Sequence, residues 1–145
     1  MKYLIIAAAL MASACVPEPD KMIDPKLKTH VDAFVTEAKN HGVDIDVYNL
    51  DIRFADLSSQ GAAGGVTTTG AILIDSASIN WYINPEAVVF HEMGHKYLHR
   101  DHMDEMFPLE NLISLPKPKS VMHSHFLYLY SQNRAYYMDE LFNGL

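Results

Sequence analysis

A domain that mixes α-helices with a β-sheet is the fold class this sequence predicts, and three observations predict it. Apolar residues recur at helical spacing between Leu27 and Ala38, they alternate with polar residues between Val43 and Phe54, and a capped helical pattern returns at Asn84. From Cys15 to Leu145 the chain is long enough for one domain and too short for two.

The first fourteen residues stand apart from that domain. Lys2 is followed by an apolar run from Tyr3 to Met11 and then by small residues, the pattern of a secretory signal peptide, here residues 1–14. The run is well short of the roughly 20 residues that span a bilayer. Ala12-Ser13-Ala14-Cys15 resembles the lipobox of bacterial lipoproteins, in which the cysteine becomes the lipidated first residue of the mature chain. Cys15 is the sole cysteine, so the exported domain has no internal disulfide and depends for stability on a packed core, to which a bound metal can add. Residues 15–24, with Pro17 and Pro19 among acids, read as a lipidated tether, and the folded domain as residues 25–145. The protein is therefore expected in the cell envelope as an exported bacterial lipoprotein, and Val16, which is no evident inner-membrane retention signal, points to the outer membrane. The formal charge of −7 grows more negative when Lys2 is removed, which argues against binding nucleic acid through a basic surface. The lipid, not a charged face, is the expected contact with membrane.

Each element has a local reason. Asp24 can cap a first helix, Pro25 suits its first position, Leu27, Val31, Phe34, Val35 and Ala38 share one face, and Gly42 stops it. Val43, Ile45 and Val47, then Leu50, Ile52 and Phe54, alternate with polar residues and predict one or two strands with a turn near Asn49. The Gly/Ser/Thr-rich segment Ser58 to Gly70 predicts a surface loop or irregular edge, and Ala71 to Asp75 a buried strand. Asn84-Pro85-Glu86 supplies cap, first-turn proline and an acid at the positive helix end, so a helix begins there. At the end of the chain, Leu127, Tyr130, Arg134, Tyr137, Met138 and Leu141 predict a covering helix from about Phe126 to Phe142, with Asp139 and Glu140 solvated.

The second helix carries the chemistry. His91 and His95 lie one turn apart on the same face, where both imidazoles can reach one ion at about 2.0–2.1 Å. Glu92 points to an adjacent direction, where it can hold a water, take its proton and pass it to a leaving amine. This is the HExxH pattern. A zinc site that keeps one position open needs a third protein ligand, and His99, Asp101 and His102 follow, with His123 and His125 further on. Three ligands along one straight helix face diverge, so the chain must bend after about Leu98.

The stretch resembles the metzincin superfamily of zinc peptidases, whose pattern HExxHxxGxxH, or its variant ending in Asp, bends at the glycine. Leu98 stands where that glycine belongs, and strict counting puts Asp101 in the third-ligand place. A helix one residue longer would bend at His99, a residue type that tolerates left-handed backbone better than Leu, and bring His102 to the metal. The succession His91-Glu92, His95, Arg100, His102 is also similar to that of small zincin-like lipoproteins of Bacteroidetes-type bacteria, which carry glycine at the place of His99. His102 is the favoured third ligand, because imidazole is the commoner donor, and Asp101 the alternative.

Pro116 to His123, with Ser120-Val121-Met122-His123 after a proline-rich loop, resembles the Met-turn, in which Met122 would lie beneath the metal-bound histidines. Some relatives place a tyrosine two residues later; Ser124 stands there, leaving His125, Tyr128 and Tyr130 as candidates for its role. The resemblance implies an α/β (α+β) zincin-like fold: a twisted mixed sheet with an N-terminal helix, the HExxH active-site helix, the Met-turn and a C-terminal helix. It implies one zinc ion and hydrolysis of peptide bonds in a peptide or protein that pairs with a sheet edge, here around Gly70 to Ile74. The runner-up is a lipoprotein that binds zinc without catalysis, and a third reading is an interaction lipoprotein with no metal.

Overall fold

The computed structural model describes residues 22–109, 111, 115–125 and 130–144; the signal peptide, Cys15 and Tyr128 lie outside them. Helix α1 runs Lys28–Asn40, strands β1, β2 and β3 run Ile52–Phe54, Gly64–Val66 and Ile72–Ile74, and helices α2, α3 and α4 run Ile79–Ile83, Pro85–Leu98 and Arg134–Asn143. Single 3₁₀ turns at Ser58–Gln60 and Ser131–Asn133 precede β2 and α4. The chain is thus α+β with a small mixed sheet. No helix among the described residues is long and apolar enough to cross a membrane.

Asp24 opens the first helical turn, accepting from Lys26 N–H through its side chain and from Leu27 and Lys28 N–H through its carbonyl. Leu27, Val31, Phe34 and Ala38 are buried, and Gly42 follows the helix at φ +78°, a backbone that costs glycine little. Ile45 and Val47 face the core, as their alternation predicts, yet residues 43–47 form none of the named strands. Regular pairing starts later, at Ile52.

The sheet order is β1-β3-β2, with β1 parallel and β2 antiparallel to β3. Residues Gly70 to Ile74 therefore do not offer a free edge, because β3 is the central strand. The edge is β2, set within the glycine-rich segment that local composition marks as a loop. On the opposite side Ile23 bridges Ile52, so the segment before α1 covers β1.

Helix α3 crosses behind the sheet and is buried along Ala87 to Gly94. Phe34 of α1 meets Phe90 of α3 edge-to-face, with ring centroids 5.2 Å apart. Met93, Val121, Met122, Tyr137 and Leu141 complete the same core from the far side. Fully buried side chains of this kind contribute about 1.5–3 kcal/mol each, so the site helix is anchored on both flanks. In α4 Tyr137, Met138 and Leu141 point inward as their spacing predicts; Asp139 is exposed, but Glu140 is buried rather than solvated.

Candidate metal centre

Helix α3 ends where the ligand geometry requires it to end. His99 takes the left-handed conformation, φ 52° and ψ 35°, the one non-glycine residue with positive φ among those described. Arg100 N–H then reaches back to Gly94 C=O, and the chain turns so that His102 meets the two helical histidines. The three Nε2 atoms stand 3.1 Å apart for His91 and His95, and 3.2 Å for each of these with His102. Asp101 is exposed and does not join the group.

The contact between His91 and His95 is not a hydrogen bond. His91 Nδ1 lies 2.9 Å from Val121 C=O, and His95 Nδ1 lies 2.6 Å from Arg100 C=O. A carbonyl oxygen only accepts, so both Nδ1 atoms carry the hydrogen and both Nε2 atoms present lone pairs. Burial holds His91 neutral, lowering its pKa to about 4, and burial likewise lowers that of His95. Lone pairs facing each other at 3.1 Å repel unless a cation lies between them. Three donors about 2.0–2.1 Å from one ion in tetrahedral geometry stand roughly 3.3–3.4 Å apart, close to the observed spacing. The cluster is chemically and geometrically fit to hold a metal ion.

The neighbouring residues explain how these rings are held. Met122 is fully buried, and a side-chain carbon placed on Gly94 would come within 2.7 Å of its sulfur and 3.2 Å of Leu141 Cδ1. Only glycine at position 94, between the two helical histidines, lets the methionine pass beneath them. Arg100 donates to the carbonyls of Glu140 and Leu141, each at 3.0 Å, and to the Glu140 carboxylate. The other Glu140 oxygen accepts from Ser120 Oγ at 2.7 Å, and that hydroxyl accepts from Met122 N–H at 2.9 Å. A single buried carboxylate thus ties the loop bearing His102 and the turn bearing Met122 to α4.

Glu92 is 5 % exposed and faces β2. A side-chain carbon on Gly64 would come within 2.6 Å of Glu92 Oε1, so the bare backbone there makes room for the carboxylate. Burial pushes the Glu92 carboxyl up to about 8. A cation on the three histidines would lower it again, leaving the group poised to exchange a proton near neutrality. Beside it opens a cleft of about 440 Å³ lined by Gly64, Ile79, Val88, Glu92, His102 and His125.

Of the candidates for the missing tyrosine's role, Tyr130 is 4 % exposed and donates to Glu86 at 2.7 Å, while Arg134 spans Glu86 and Glu37 at 2.6 Å each. That cluster is distant in purpose from the cleft: it closes α4 onto α1 and α3. Ser124 is likewise engaged, donating through N–H and Oγ to Asp104 at 2.8 and 3.1 Å. Arg100 and Ser120 stand within the motifs quoted from the sequence, but Gly64, Gly94 and Glu140 carry no local mark of their roles. For these three the one signal available is the position of Gly94 inside the HExxH segment.

Compared with family models, curated proteins and solved structures, the chain matches none. The site must be judged on its own geometry.

Proposed function

We propose that the protein is a zinc-dependent peptidase, anchored to the outer membrane through a lipid on Cys15. The observation that carries this reading is the convergence of three imidazole Nε2 atoms beside a buried carboxyl in an open cleft. Zinc suits an all-nitrogen set of this spacing, and when bound it would supply a Lewis acid for the scissile carbonyl and for water. A structural ion would have no need of Glu92. Buried among apolar neighbours, that carboxylate is basic enough to take a proton from the attacking water. As the C–N bond breaks, the same group returns the proton to the departing amine nitrogen, so the reaction consumes one water and leaves Glu92 unchanged. The exposed edge of β2, at Gly64 to Val66, lies against Glu92, His95 and His102 and offers backbone groups to an extended peptide. Val121 and Arg100 carbonyls orient the two helical rings so that their Nε2 atoms face one point.

A second reading, a zinc-binding lipoprotein without catalysis, is favoured by Ser124, whose hydroxyl is already bound to Asp104, and by the engagement of Tyr130. The two readings part on one variant. Glu92→Gln should keep its metal and lose cleavage of a peptide library by about 10²-fold or more; equal cleavage by parent and variant would overturn the peptidase mechanism.

A further inference from the structure

We propose a second metal site, for an exchangeable divalent transition ion, formed by Asp104, His123 and His125 on the wall of the same cleft. Met103 N–H bonds Met122 C=O at 3.0 Å, which lays the chain after His102 alongside the chain after Met122 and brings the three residues together. Each offers a ligand atom, and these atoms lie within 4.8 Å of one another. Their chemistry follows the logic of the first cluster. His125 N–H lies 3.1 Å from His123 Nδ1, so that nitrogen presents a lone pair rather than a hydrogen. Asp104 Oδ1 stands 3.5 Å from the same nitrogen. Two acceptors at this distance are too far apart for a good hydrogen bond and have no hydrogen between them. The separation is instead close to the roughly 3.3–3.4 Å between two donors on one tetrahedral ion.

Neighbouring bonds aim the carboxylate: Ser124 donates to both of its oxygens, so Asp104 is held toward His123 although its side chain is exposed. His123 is buried, whereas His125 is exposed at the mouth of the set. A cation here would displace the weak His125 N–H contact on Nδ1 and gain a carboxylate and a second imidazole. Mixed nitrogen and carboxylate donors suit zinc, nickel or copper better than calcium or magnesium. With its donors spread wider than those of the first cluster and two of them exposed, the site should bind about 10–100-fold more weakly. His123, Ser124 and His125 line the cleft together with His91, Glu92 and His102, so a second ion would sit within the space a ligand uses. The inference does not depend on the peptidase reading.

The test is zinc titration of the full chain in detergent, followed by calorimetry and by elemental analysis after equilibrium dialysis. The parent should bind a tight equivalent and a weaker one. Asp104→Ala and His125→Ala, both at exposed positions, should each keep the tight equivalent and lose the weak one. A His91→Ala/His95→Ala double variant should lose the tight equivalent and keep the weak one, and with cobalt should still show a visible absorption band. A single equivalent in the parent up to millimolar free zinc, or two in both Asp104→Ala and His125→Ala, would overturn the second site.

Discussion

Replacing Glu140 by alanine should unfold this protein more readily than any surface change, although the residue is remote from the reacting groups. Its carboxylate is 1 % exposed and is shared by Arg100 and Ser120, and through Ser120 by the backbone of Met122. Breaking a buried pair by removing one partner costs about 3–5 kcal/mol, because the other charge is left uncompensated. Arg100 keeps two carbonyl acceptors and is 19 % exposed, which favours the lower end, about 3 kcal/mol. For a domain of this size each kcal/mol lowers Tm by roughly 3–6 °C, so a fall of about 9–18 °C is expected in thermal unfolding followed by circular dichroism. Asp139→Ala, one residue away and exposed, is the control and should stay within about 0.5 kcal/mol. A Glu140→Ala protein within about 1 kcal/mol of the parent would refute the role given to this network.

Three further outcomes follow from single residues. His99→Gly should stabilise the fold by about 1 kcal/mol and leave metal content unchanged, since φ 52° strains any side chain, while His99→Val should destabilise it; chemical denaturation reads both. Gly64→Ala should retain the metal and nearly full stability yet lose peptide cleavage by about 10–10²-fold, because the added carbon displaces the Glu92 carboxylate; undiminished cleavage would contradict the placement of Glu92. Measured in Glu92→Gln, which removes the opposing proton that the parent's Glu92 carboxyl, pushed up to about 8, binds only when folded, the metal-free protein should lose stability as pH falls from 6.5 toward 4. In that window the unfolded chain binds protons at His91 and His95, whereas the folded chain, with His91 near 4 and His95 also lowered, does not. Urea unfolding between pH 5 and 7 measures the slope, which His91→Gln should flatten.

The features that were legible in sequence are those whose cause is local. Asn84-Pro85-Glu86 begins α3 where predicted, Gly42 follows α1, and the need for three converging ligands foretells a bend that His99 supplies. The alternation from Val43 to Val47 is real as burial but makes no ladder, because a strand needs a partner and local sequence does not name one. For the same reason β2 lies hidden in a glycine-rich segment and the sequence pattern points to β3 as the free edge: composition reports flexibility, while the missing side chain of Gly64 is required by a glutamate 28 positions later. Glu140 sits beside Asp139 with the same charge, and its burial depends on Arg100, 40 residues away. Of the predicted site residues, His91, His95 and His102 converge with Glu92 beside them, Met122 packs against Gly94 between the two helical histidines, and Asp101 stays outside the group.

The most direct test of the central claim is the zinc content of the full chain, dialysed free of weakly held metal, beside His102→Ala and Asp101→Ala. One zinc per chain in the parent and in Asp101→Ala, with none in His102→Ala, is the expected result. Zinc retained by His102→Ala and lost from Asp101→Ala, or no zinc in the parent, would contradict it.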